Sequence, residues 1–161
     1  MIVVSDTSAL CNLALIDRLW LLEAIYQTII IPEVVANELA AASNLTISSM
    51  LQLSWIQTQS LTNSQLADQL QQGRGLDAGE ANAIALALEL QADDLIDERL
   101  GRQEARRLGL SIIGILGILL IAKQRNLIPQ VQPVMDALID QAGFRVSPQL
   151  YQRVLALSQE S

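Results

Sequence analysis

Apolar positions along this chain alternate between two patterns. Short aliphatic, mostly β-branched runs stand apart from longer stretches in which apolar residues recur every three or four positions. "MIVV" (1–4), "TIII" (28–31), "DDLID" (93–97) and "LSII" (110–113) predict strands; "WIQTQ" (55–59) fits a short strand within a less regular stretch, 43–61. Residues 7–26 predict helix in two pieces meeting near Asp17. Pro32 stands where a helix begins, at its first position, and "PEVVANELAAA" continues it. Thr62, Asn63, Ser64 and Gln65 read as a capping box opening a helix to Gln72, and "GRG" at 73–75 breaks the chain. Asp77 to Leu90 is a helix rich in Ala and Leu, and 98–108 is an Arg-bearing helix ended by Gly109 as its C′ residue. Gly114 to Gln124 is helical; Pro133 and Pro148 start two further helices, with Gly143 closing the one between them.

Strands separated by helices build βα units, so the expected class is α/β, a parallel sheet with helices on both faces. There is no internal repeat, low-complexity stretch or linker long enough to divide the chain. The longest apolar stretch, "LSIIGILGILLIA" (110–122), is well short of the ~20 residues a membrane-spanning helix needs, and Gly114 and Gly117 divide it. It reads as a buried strand feeding a buried helix. The first residues have no basic region before their apolar run, so they do not read as a signal peptide.

Composition sharpens this picture. The chain has 161 residues, 51% hydrophobic and 17% charged, which suits one domain with a large core and leaves apolar surface to close a homodimer. Aromatics are only 3%, so the core is aliphatic. Cys11 is the single cysteine, which excludes an intrachain disulfide, fits a reducing cytoplasm and reads as a small core residue. Histidine is absent, which excludes His triads, His general bases and His-ligated zinc. Catalysis, if present, rests on carboxylates, hydroxyls, Lys or Arg. The net charge of −7 repels nucleic acid, so an RNA or DNA substrate would require divalent cations or a basic patch. Six of the ten basic residues lie between 99 and 125: Arg99, Arg102, Arg106, Arg107, Lys123 and Arg125. A solvated helix face would also explain them.

Four acids stand in informative places. Active sites of open parallel sheets lie beyond the carboxyl ends of the strands. Asp6 ends the first strand and Asp97 ends "DDLID"; Glu38 follows the second strand, and Glu80 lies in the first turn of the helix before the Asp97 strand. Each has a plainer reading. Asp6 could cap the helix at "SDTSAL", and Asp77-x-x-Glu80 has capping-box spacing. Glu38 could edge a buried stripe, and Asp97 follows the surface acids Asp93 and Asp94. Together, four clustered carboxylates would raise one another's pKa and need protons or a cation to coexist. An all-oxygen donor set selects Mg²⁺ or Mn²⁺ over zinc.

"VVSDTSAL", "IIIPEVVANELA", "LDAGEANAIALALE" and "LIDERLGRQEARRLGL" resemble PIN domains in order and spacing. The likeness is greatest to the bacterial PIN-like group related to VapC-type toxin ribonucleases. The resemblance implies a three-layer sandwich around a central, mostly parallel five-stranded sheet. It sets a PIN-like nuclease domain over 1–143, with a C-terminal helix, 144–161, packed on it. It further implies a Mg²⁺- or Mn²⁺-dependent endoribonuclease. Asp6, Glu38, Glu80 and Asp97 match the four family acids. Asp6, Glu80 and Asp97 would hold one ion; Glu38 would bind a second ion or orient the attacking water. Thr7 and Ser8 match hydroxyl residues that help hold the metal or its water, and Glu98 stands as an auxiliary acid or as a first-turn Glu favoured by the helix dipole. The family often has a hydroxyl after the fifth strand; here Ile113-Gly114-Ile115 stands there.

Arg99, Arg102 and Arg106, at i, i+3 and i+7, would share one side of a helix and grip backbone phosphates. The expected partners are RNA or single-stranded DNA, a cognate antitoxin if the chain is a toxin, and a second copy of itself. Two other readings compete. One is a PIN-like scaffold that binds nucleic acid or protein with little or no catalysis. The other is a Mg²⁺-dependent phosphotransfer domain, which wants a Lys just after a late strand; Lys123 is too far along its helix. A dehalogenase-type phosphatase needs a second acid two residues after Asp6, where Ser8 stands.

Overall fold

The computed structural model describes residues 1–98 and 101–160. Its centre is a five-stranded sheet, parallel throughout: β1 (Val3–Ser5), β2 (Ile29–Pro32), β3 (Ile56–Gln59), β4 (Asp94–Ile96) and β5 (Ile112–Ile113). The order across the sheet is β3-β2-β1-β4-β5. Register pairs Val4 with Ile30 and with Leu95, and Ile96 with Ile113. The chain therefore runs outward from β1 in one direction, returns, and runs outward in the other. The carboxyl ends of β1 and β4 flank the point of reversal, which is where open α/β sheets bind ligands.

Side-chain alternation along the strands divides the core in two. Val3, Ile29, Ile31 and Ile96 face one cluster. It contains α1 (Thr7–Leu15), α2 (Trp20–Tyr26), α3 (Glu33–Ala40), α8 (Ile115–Gln124), α9 (Gln132–Ala142) and α10 (Pro148–Leu157). Val4 and Leu95, with Ile30 and Ile112 against them, face the other cluster. That one takes residues of α5 (Gln65–Arg74), α6 (Ala78–Leu90) and α7 (Gly101–Arg107). A short helix α4 (Leu45–Ser48) and a 3-10 turn, Ser49–Gln52, occupy the less regular stretch before β3. Among the described residues no helix is long and apolar enough to cross a membrane. Val154 and Leu155 of α10 are buried in the first cluster.

Most helix ends fall where the pattern places them. α1 and α2 meet at Asp17, whose φ is +58°, with Arg18 N–H reaching back to Leu13 O. Gly109, at φ +86°, ends α7 with Leu110 N–H on Ala105 O, the left-handed C′ turn that a Cβ would strain. Two local expectations are corrected and a third is adjusted. Pro32 is the last residue of β2, paired with Gln59, and the N-cap of α3 rather than its first residue. The capping box at 62–65 does not form. Asn63 Oδ1 accepts from Gln65 N–H, and the Glu89 carboxylate of α6 takes the N–H groups of Thr62 and Asn63. α5 runs past Gln72 to Arg74, and the break expected within 73–75 comes at its last residue, the left-handed Gly75.

Candidate active site

β1 ends at Ser5, and Asp6 follows it at the N-cap of α1 with extended backbone; its N–H donates to Ile96 O of β4 at 3.2 Å. Asp6 thus holds the N-cap position of α1, as its plainer reading expects, without a side-chain capping hydrogen bond of good geometry. The residue is 2% exposed, and its Oδ1 is buried with no hydrogen-bond partner among the described residues. Burial pushes the Asp6 pKa well above the usual carboxylate range, and the neighbouring Asp97, Glu80 and Glu98 charges push it further; the Ala9 N–H opposes the shift.

β4 delivers Asp97 beside it. Asp97 is 1% exposed and its N–H bonds Ile113 O at 3.2 Å, so the backbone of β5 fixes its position. α6 supplies Glu80, 6% exposed. Asp77 caps α6 by accepting the Glu80 N–H at 2.8 Å. Half of the plainer reading of this pair is thus correct: Asp77 is the cap. The Glu80 carboxylate nonetheless borders the same cleft as Asp6.

This cleft has a volume of about 750 Å³ and is lined by Asp6, Thr7, Ser8, Glu38, Glu80 and Glu98 among others. Asp97 is not among its lining residues; it is buried within reach of the Asp6 and Glu98 charges. Glu38 sits at the mouth, exposed on α3 beside the buried Val35 and Leu39. Thr7 Oγ1 donates to Glu38 Oε2 at 2.7 Å. The α6 backbone approaches so closely that a Cβ built on Gly79 would lie 2.8 Å from Glu38 Oε1. Cys11, expected in the core, packs against it but also lines the cleft.

Glu98 plays a part that the sequence does not single out. Its Oε1 accepts the N–H of Ile115 at the start of α8, where the missing hydroxyl would have stood. A Cβ on Gly114 would lie 2.8 Å from that oxygen, so the glycine leaves room for the acid. Burial raises the Glu98 pKa and the Asp97 charge adds to it, while the Ile115 N–H and Arg102 lower it. The interaction with Ile115 is invisible in the sequence because it joins residues 17 apart.

The cation candidates separate. Arg99 lies outside the described residues. Arg102 is half-buried against Glu98, its Nε without a hydrogen-bond partner among the described residues. Arg106 is exposed. Among the described residues no group of three or more His, Cys, Asp or Glu side chains stands in ligating geometry. In kind the donors suit a hard divalent cation: the carboxylates of Asp97 and Glu80 lie near enough to Asp6 to raise its pKa, and Asp6 Oδ1 is buried with no hydrogen-bond partner among the described residues.

A family model described as a PIN domain matches residues 2–160. The chain belongs to the PIN-domain family. A comparison with curated proteins finds none that matches. PIN domains have a nuclease-type fold and generally use divalent metals, and the five-stranded parallel sheet with helices on both faces is that sandwich. In this PIN domain the family match includes α9 and α10, whose connecting segment walls the cleft at Ala142, Gly143, Phe144 and Arg145.

Proposed function

We propose that this PIN domain is a Mg²⁺- or Mn²⁺-dependent endoribonuclease. The observation that carries the reading is the state of Asp6: nearly inaccessible, ringed by the charges of Asp97, Glu80 and Glu98, and holding one oxygen with no partner among the described residues. A structural acid in such a place would be paired with a cation or capped by N–H groups. An oxygen left open among like charges suits a site built for a hard ion. Asp6, Glu80 and Asp97 would hold it. A divalent ion bound there supplies a more acidic water and neutralises charge on the scissile phosphate.

The remaining residues have assignable work. Glu38, fixed by the Thr7 hydroxyl and exposed at the cleft mouth, accepts a hydrogen bond from the entering water and orients it for attack. Ser8 lies next along α1 on the cleft lining, able to donate to a phosphate oxygen. Glu98 holds the start of α8 against β4 and keeps Arg102 in place. The chain contains no histidine, so the metal-free route through a His pair and the ribose 2′-OH is closed to it.

A panel of RNAs incubated with and without Mn²⁺ tests the reading, with Asp97→Asn as control. Cleavage that requires Mn²⁺, leaves 5′ phosphates and falls at least about a hundredfold in the variant is expected, the range for losing a preorganised charge at the reacting centre. Equal cleavage by the variant, or none by the wild type on any RNA, would overturn it.

A further inference from the structure

Among the described residues five carboxylates line the cleft, Asp6, Glu38, Asp77, Glu80 and Glu98, and Arg145 is the only cation beside them. A polyanion entering such a cleft meets repulsion that one divalent ion cannot remove, because the formal charge of the lining stays negative with the ion bound. The ion also acts at a single phosphate. Neighbouring phosphates of the same strand need a positive group that is not already engaged.

The basic residues elsewhere are largely occupied. Arg74 and Arg107 pair with Glu104, Lys123 pairs with Glu160, Arg125 donates to Ile25 O, and Arg102 lies against Glu98. None of the ion pairs among the described residues involves Arg145, whose residue is exposed. Its backbone is held from both sides. Gly143 turns the chain at φ +69°, and Phe144 N–H bonds Leu138 O at 3.0 Å while its ring packs on the core. Two residues later the Ser147 hydroxyl caps α10 by accepting from Leu150 N–H at 3.1 Å. Arg145 is thus an available guanidinium on a fixed turn at the rim of an acidic cleft, a form suited to bidentate phosphate recognition.

We propose that Arg145 grips a backbone phosphate of single-stranded RNA bound in this cleft. This rests on the nuclease reading above. It assigns the substrate grip to the turn after α9 rather than to α7 alone.

The test measures binding of a short fluorescein-labelled single-stranded RNA across a salt series, with Mn²⁺-dependent cleavage followed in parallel. The proteins are the wild type, Arg145→Ala, Arg145→Lys and Arg153→Ala; the last removes the same charge from an exposed position on α10 that does not line the cleft. Arg145→Ala should weaken binding about tenfold, raise KM more than it lowers kcat, and reduce the salt slope by about 1. Arg145→Lys should restore the slope, and Arg153→Ala should leave it unaltered. A wild type that cleaves RNA beside an Arg145→Ala variant with the same slope and KM would overturn the proposal and leave the nuclease reading intact. An Arg145-dependent slope without cleavage would support the grip and sink the nuclease. A wild type that neither binds nor cleaves RNA would sink both.

Discussion

Asp6 works against the fold at the one place where the proposed chemistry needs it. Its pKa is raised by burial first and by Asp97 second, so the ionised form destabilises the metal-free protein as pH climbs above the usual carboxylate range. Asp6→Asn removes that charge at nearly constant volume. In metal-free buffer at pH 8 the variant should melt at or above the wild-type temperature, while losing Mn²⁺-dependent cleavage; a clear drop in Tm by calorimetry would mean that Asp6 is structural. Gly79 offers the complementary test. Ala is the better helix former by about 1 kcal/mol, but its Cβ would meet Glu38 Oε1 at 2.8 Å, and that carboxylate is the end of a flexible side chain that can swing away. Gly79→Ala should therefore keep Tm within a few degrees and lower kcat about tenfold or more. Unchanged kcat would remove Glu38 from the reaction.

The elements show what local pattern carries and what it does not. The strands were legible because β-branched runs such as "TIII" and "LSII" fit a pleated, buried surface whatever their neighbours. Asp6 and Asp97 were legible with them, since a strand end is a local feature. Pro32 was misplaced by one element because a residue without N–H suits both the end of a strand and the entry of a helix. The capping box at 62–65 was out-competed by Glu89, a carboxylate from a different helix that no window of sequence includes. Glu98 and Arg145 were underrated or hidden for the same reason: only tertiary structure brings Ile115 N–H to Glu98 and places Arg145 on the rim of the cleft. The C-terminal clasp is a third case. Glu160, its side chain 6% exposed, accepts the N–H groups of Val131 and Gln132 at the start of α9 and pairs with Lys123 at 3.0 Å. Burial alone would raise its pKa, but those N–H groups and the ammonium win and hold it down at about 2. A depressed acid stabilises the fold above its unfolded value near 4.5, and that stability drains away as pH falls toward 2. Glu160→Gln should lose about 1–3 kcal/mol at pH 7, a drop in Tm of several degrees, and should show a flatter acid limb between pH 4.5 and 2. Identical acid limbs in the two proteins would contradict the clasp.

At the scale of the molecule, one topological fact organises the rest. The order β3-β2-β1-β4-β5 puts the ends of β1 and β4 side by side at the reversal point, and the crossover through α6 brings Glu80 onto the same spot. An acidic chain with a net charge of −7 thereby concentrates its repulsion in one cleft, where a hard cation can offset it. The most direct measurement of that claim is anomalous diffraction from crystals soaked in Mn²⁺. A manganese peak within coordination distance of Asp6 Oδ1, shared with Glu80 or Asp97 and absent in Asp6→Asn crystals, is the result expected. Manganese bound only at other surface carboxylates, with the Asp6 cleft empty at saturating ion, would contradict it.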